Sequence, residues 1–285
     1  MGYGKYSETD RAVRTTMYCA QSAAENFKQR EVIKEMNSLN LKVRESRDSE
    51  EHPKSLAIIL ALDLTGSMGS VPQQLVTTGF STIMSNIIQK GKEDAQVLFL
   101  GVGDHTCDRR PLQVGQFETN DELLDKWLTS IYLEGGGGAN DGESYLMAWF
   151  TAAFYTDIDC FNKRKEKGFL FTIGDEPTLK TLEGTAITNI IGEGQSKNYT
   201  AVELLEEARK KYNVFHIHLI ETRTGQRWQS KDNGWKQLMG DDLIICDDHT
   251  KIPNIIADII NRKAIGSSSK TNKPSTSSDT PVEML

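Results

Sequence analysis

Ser55 to Gly69 reads SLAIILALDLTGSMG. Its first half, Leu56 to Leu62, is an unbroken apolar run between polar segments, the pattern of a strand buried on both faces of a parallel sheet. Asp63 ends that run abruptly. Asp63, Thr65 and Ser67 then stand at alternate positions on the turn leaving the strand. A curl at Gly66 and Gly69 would bring one carboxylate and two hydroxyls together. Oxygen donors of this kind suit a hard divalent cation, Mg²⁺ first, with Mn²⁺ or Ca²⁺ as alternatives.

Downstream of this stretch, Val76, Phe80, Ile83, Met84, Ile87 and Ile88 keep helical spacing within Val71 to Lys90, and Gly91 stops the helix. Ala95 to Val102 is a second buried strand. Leu112 to Phe117, following Pro111, suits a short antiparallel edge strand. Thr119 with Glu122 forms a capping box for a helix through Ile131. Gly135 to Gly138 precede Ala139, Asn140, Asp141, Gly142 and Glu143 and a helical pattern through Phe154. Asn140 and Glu143 also fit a capping box. A third apolar strand, Gly168 to Ile173, closes in Gly174-Asp175-Glu176-Pro177. Thr200 and Glu203 cap a further helix, and Val214 to Ile220 is a strand with His216 and His218 on one face. Leu243 to Cys246 is the last strand and Ile252 to Ile260 the closing helix, with Ile255, Ile256 and Ile259 facing in. Strands alternating with helices imply an α/β fold with a doubly wound, mostly parallel, Rossmann-like sheet and one short antiparallel edge strand. Ligands of such sheets sit outside the carboxyl ends of the strands, which gathers Asp63, Asp141 and Asp175 into one crevice.

The pentapeptide Asp63-Leu64-Thr65-Gly66-Ser67 resembles the D-x-[ST]-G-S signature that opens the metal-ion-dependent adhesion site of von Willebrand factor type A domains. The loop G-G-G-A-N-D-G-E is similar to the G-G-G-D-x-P-E variant of A domains joined to alpha-type kinases, where an Asp replaces the usual Thr. Asp141, or Asn140 beside it, falls at that position. Asp175, at the end of an apolar strand, is similar to the family's third element. The resemblance spans roughly residues 55–261 and implies a metal site of Asp63, Thr65, Ser67, Asp141 and Asp175. It also implies a function: a cation left under-neutralised by hydroxyl ligands accepts an Asp or Glu of a partner protein. If Asp141 ligates directly, the third carboxylate weakens that demand and the metal becomes structural. Members of the family inside cells often serve as adaptors, for instance beside ATPases that remodel proteins.

The 285 residues, 38% of them apolar, suffice for one α/β core with appendages. Residues 1–54 are expected to be a helical appendage, Thr9 to Met36, packed on the domain edge, with Arg44 to His52 a solvated linker. Residues 55–265 form the A-type domain and 266–285 a disordered tail. A net charge of −7 argues against a dedicated nucleic-acid or anionic-membrane binder and leaves room only for a local basic patch. Cys19, Cys107, Cys160 and Cys246 are scattered, no secretory pattern opens the chain, and no apolar run spans a bilayer, so a cytoplasmic protein is expected.

Catalysis is the weaker reading. Thr65 replaces the second Asp of a D-x-D-x-T phosphatase motif, Ser67 lacks the first Gly of a nucleophile elbow, and no G-x-x-x-x-G-K loop is present. A metal-assisted phosphoester hydrolase is the enzymatic alternative. His216 and His218 read as half-buried sheet positions rather than ligands. Asp104, His105 and Asp108 read as a solvated loop, with an outer shell for the cation or a second cation site as the alternatives.

Overall fold

The computed structural model describes residues 4–133, 142–192, 194, 197–229 and 234–268. In chain order the strands are β1 (Arg44–Ser46), β2 (Leu56–Asp63), β3 (Ala95–Val102), β4 (Leu112–Val114), β5 (Thr156–Ile158) and β6 (Gly168–Gly174). They are followed by β7 (Thr181–Leu182), β8 (Tyr199–Thr200), β9 (Tyr212–Leu219) and β10 (Leu243–Cys246). Six of them make one sheet in the order β10-β9-β6-β2-β3-β4. All neighbours are parallel except β3 and β4, where Val102 faces Leu112 in antiparallel register.

Every residue of β2 is buried because helices cover both faces of the sheet. Its side chains alternate between two cores: Ile58, Leu60 and Leu62 join Phe80, Ile83, Ile87 and Ile256 on one face. Ala57, Ile59 and Ala61 join Trp149, Leu204 and Tyr212 on the other. After β2 the chain winds outward through β3 and β4, then returns to β6 on the opposite side of β2 and winds the other way. The strand order therefore reverses between β2 and β6, and a crevice opens there at their carboxyl ends. The sheet is mixed α/β and Rossmann-like, as the alternation of strands and helices anticipates.

Several local expectations are corrected. The first helix, Glu8–Cys19, stops well short of Met36 because Ser22 and Glu25 form a capping box that starts a separate turn, Ala23–Asn26. That first helix does pack on the domain, through Arg11 and the half-buried Tyr18, while its apolar Val13 and Met17 are exposed. Arg11 is buried, pairs with Asp125 and donates to the Val76 carbonyl. Arg44 to His52 is no solvated linker. β1 pairs with β5 in parallel, Arg47 pairs with Asp157 and Asp159, and Asp48 accepts from Arg164. The helix after the central strand runs Val71–Gln74, widens into a π turn over Leu75–Gly79 and continues as Phe80–Ile88. Asn120, not Thr119, caps the helix Asp121–Thr129, accepting from the amides of Glu122 and Leu123, while the Thr119 hydroxyl donates to the Gly4 carbonyl. The closing helix extends over Ile252–Ser268, past the Gly266 at which a tail was expected; Ile252, Ile256 and Ile260 are its fully buried isoleucines, with Ile255 and Ile259 half-buried. Among the described residues no helix is long and apolar enough to cross a membrane.

Candidate metal centre

At the carboxyl end of β2 the chain folds back on itself. The Asp63 Oδ1 accepts from the Thr65 amide at 2.9 Å and from the Thr65 hydroxyl at 2.6 Å, a local turn that a short carboxylate followed by Thr is built to make. Thr65 Oγ1 lies 3.0 Å from Ser67 Oγ, and Ser67 donates to Asp175 Oδ1 at 2.9 Å. Asp63, Thr65, Ser67 and Asp175 thus form one continuous chain of oxygens across the β2–β6 crevice. In an octahedral Mg²⁺ shell with ligands at about 2.0–2.1 Å, adjacent oxygens stand about 2.8–3.0 Å apart. Two of the three links along this chain, Thr65–Ser67 at 3.0 Å and Ser67–Asp175 at 2.9 Å, have that spacing, while Asp63–Thr65 at 2.6 Å is a shorter hydrogen bond; the donors are carboxylate and hydroxyl oxygens, the set a hard cation takes.

Two further hydroxyls hold the carboxylates. Tyr145 donates to Asp63 Oδ2 at 2.7 Å and Thr222 to Asp175 Oδ2 at 2.6 Å. Tyr145 is itself fixed by an aromatic wall, its ring 4.9 Å from His216 and 5.5 Å from Trp235, while Trp235 stacks on His216 at 3.6 Å and donates to the Glu176 carbonyl. The approach of Tyr145 to β6 is so close that position 174 admits only glycine: a Cβ there would lie 1.8 Å from the Tyr145 hydroxyl oxygen.

Electrostatically the centre is a buried cluster of carboxyl groups whose ionisation is disfavoured. Asp63 and Asp175 have no exposed surface. Burial, then the nearby Asp175 charge, pushes the Asp63 carboxyl up to about 6 against the hydrogen bonds from Thr65 and Tyr145. Burial raises Asp175 as well, opposed by Thr222 and Ser67. Glu143 is 2% exposed, and burial followed by the charges of Asp63, Glu176, Asp104 and Asp108 pushes it up to about 10. Its Oε2 is buried without a hydrogen-bond partner. A divalent cation is the simplest complement to such a group of acids.

The structure brings Asp63, Thr65, Ser67 and Asp175 together as the sequence suggests. Asp141 and its alternative Asn140 lie outside the described residues, as do Gly135 to Gly138. The helix that follows begins at Tyr145 with Ser144 as its N-cap residue, so the proposed Asn140–Glu143 box does not start it. Glu143 instead exchanges backbone hydrogen bonds with Pro177 and Leu179. Asp104, His105 and Asp108 are not a solvated loop: Asp104 is fully buried and accepts from Thr106, and His105 bonds Ser144 through both its amide and Nδ1. His216 and His218 are more deeply buried than half, which pushes His216 well below the usual range and His218 down to about 4. Thr172 bonds His216 Nδ1 at 2.9 Å. Glu221, Asp248 and His249 also offer ligand atoms within 4.8 Å of one another. There Glu221 accepts from the His249 amide and faces its Nδ1 at 2.6 Å, while Asp248 accepts from Thr250, so the group already satisfies itself.

Tyr145 and Thr222 were not foreseen as site residues. Thr222 follows β9 closely, so applying the strand-end rule to this strand as well would have found it. Tyr145 sits in an apolar helical pattern and carries no such signal.

No family model and no curated protein matches the chain. Two crystal structures of the pilus adhesin SpaC from Lactobacillus rhamnosus GG are similar to it. The open conformation is 12% identical with a TM-score of 0.47 over 78% of this chain and 31% of the adhesin. A second form is 12% identical with a TM-score of 0.46, over 78% and 32%. The chain spans about a third of the adhesin's length.

Proposed function

We propose that the chain is a von Willebrand A-type module that binds Mg²⁺, or Mn²⁺ or Ca²⁺, at Asp63, Thr65, Ser67 and Asp175, and that the bound cation captures an Asp or Glu of a partner protein. The observation that carries this reading is the unbroken run of carboxylate and hydroxyl oxygens from Asp63 to Asp175, 2.6–3.0 Å apart, which gathers a hard-cation donor set at one strand end. Thr65 and Ser67 offer neutral ligands, so the cation keeps charge and open positions for an incoming carboxylate. The aromatic wall behind Tyr145 keeps Asp63 oriented and dry.

A second reading is favoured by Glu143. Its buried, unpartnered Oε2 is a third acid for the same charge balance. If it reaches the cation, the external carboxylate is no longer needed and the metal is structural, as in a scaffold.

Calorimetric titration of the chelator-stripped protein with Mg²⁺ and Mn²⁺ tests the site. One ion is expected per chain, lost in Asp63→Ala with an unchanged circular dichroism spectrum. A folded wild type that binds neither ion rejects the metal centre. Addition of a glutamate-bearing peptide library to loaded protein, with Glu143→Gln beside it, separates adhesion from a structural ion.

A further inference from the structure

Away from the crevice, an open cleft of about 370 Å³ is lined by Arg30, Glu31, Lys34, Arg109, Arg110 and Tyr132, among others. In a chain with a net charge of −7, four cations against one carboxylate in a single hollow is a local reversal of sign. Five other arginines of this protein are matched by acids: Arg11 with Asp125, Arg14 with Asp121, Arg47 with Asp157, Arg164 with Asp48, Arg209 with Asp242. The side chains of Arg30, Lys34, Arg109 and Arg110 make no hydrogen bond or ion pair among the described residues.

The cleft is built, not incidental. Its walls come from three distant segments tied together by one buried residue, Gln113. The Gln113 side chain accepts from the Tyr132 amide at 2.9 Å and donates to the Tyr132 carbonyl at 2.8 Å, while its backbone bridges to Asn37. Met36, fully buried, anchors the turn Lys34–Met36, and the Pro111 carbonyl accepts from Gly103. Lys34, Tyr132 and the chain that leads from Arg110 through Pro111 to Gln113 are therefore tied to fixed backbone. Arg109 and Arg110 also line an adjoining hollow of about 330 Å³.

We propose that this cleft binds a small molecule carrying clustered phosphate groups. Three guanidinium forks and an ammonium converging on one hollow exceed what one carboxylate needs and match several phosphate oxygens at once. The volume lies at the lower end of small-ligand sites, about 300–1,000 Å³, and the concave shape suits a compact anion better than an extended acidic chain. Tyr132 adds a ring against which an organic portion of the ligand rests. A nucleoside triphosphate and an inositol polyphosphate share this chemistry.

The test is calorimetry in chelator, so that the metal centre plays no part, with inorganic tripolyphosphate, ATP and inositol hexakisphosphate as probes. Saturable one-to-one binding that weakens with salt is expected, reduced on the order of tenfold for each arginine removed in Arg109→Ala and Arg110→Ala. Lys90→Ala, exposed elsewhere, and Asp63→Ala should bind as the wild type does. ATP binding tighter than tripolyphosphate, with the difference lost in Tyr132→Ala, supports a nucleotide; tighter binding of inositol hexakisphosphate supports the polyol source. The proposal is overturned if none of the three saturates, if Arg109→Ala with Arg110→Ala leaves binding unchanged, or if Asp63→Ala abolishes it. A glutamate-rich peptide that binds more tightly than tripolyphosphate also overturns it, and assigns the cleft to an acidic protein segment.

Discussion

In the proposed metal centre Asp63 would do two jobs whose requirements conflict: it is buried to orient the site and would have to be ionised to hold a cation. Its carboxyl, at about 6, lies above the usual range near 3.9, so between about pH 4 and 6 the folded chain binds more protons than the unfolded one. Stability of the metal-free protein is then expected to fall as pH rises through that window, by on the order of 2 kcal/mol from this residue. Glu143, shifted in the same direction, adds to the slope. Mg²⁺ should reverse the trend, since its ligands must be deprotonated. Urea unfolding at both ends of the window, with and without Mg²⁺, reads this directly, and a flat metal-free profile would contradict the burial of a charged Asp63. Gly174 makes a separate residue-scale prediction. Gly174→Ala places a methyl group 1.8 Å from the Tyr145 hydroxyl oxygen and is expected to cost about 1–3 kcal/mol by overpacking. It should also weaken cation binding, because Tyr145 must leave Asp63; an unaffected metal affinity would show that Tyr145 is a bystander.

Among the elements, the amino-terminal helix is held by a charge. Arg11→Ala leaves buried Asp125 with only the more distant Arg14, at 3.5 Å, and the Val76 carbonyl without its donor, and should destabilise the fold by about 3 kcal/mol. Arg11→Met with Asp125→Leu should recover most of that loss. Denaturant midpoints of the single and double variants decide it, and equal losses would mean the helix contributes packing alone. This helix and β1 also explain what sequence reading missed. Strands β2, β3 and β6 announce themselves because burial on both faces demands a continuous apolar run. Arg11, Arg47 and Asp48 announce nothing, since their partners Asp125, Asp157 and Arg164 lie more than a hundred residues away, and a dense local run of charge looks like solvent-facing chain. The helix start at Tyr145 was blurred for a related reason: Glu143 resembles a capping residue in sequence, yet its backbone is committed to Pro177 and Leu179.

For the whole molecule, the meeting of Asp63, Thr65, Ser67 and Asp175 at the ends of β2 and β6 was legible because strand order and the strand-end rule are global properties that local errors do not disturb. Tyr145 and Thr222 complete that site from segments whose local pattern serves other ends. Cation binding to the native state alone should raise the midpoint of thermal unfolding with each increment of Mg²⁺, worth about 2.7 kcal/mol at a hundredfold excess over Kd. Asp63→Ala should show no such rise, and a parallel rise in both would place the ion elsewhere. The π turn at Leu75–Gly79 bears on the chain as a length of string. Such a turn holds one residue more than a regular helix needs, so the segment between the Asp63–Gly69 loop and Phe80 carries a surplus. Removing Thr78 should let the turn close to ordinary α geometry while Val71 and Phe80 keep their faces. Removing Ser85, in the regular part, should rotate everything beyond it by about 100° and unfold the domain. A helix that tolerates the first deletion and not the second is one with a residue to spare.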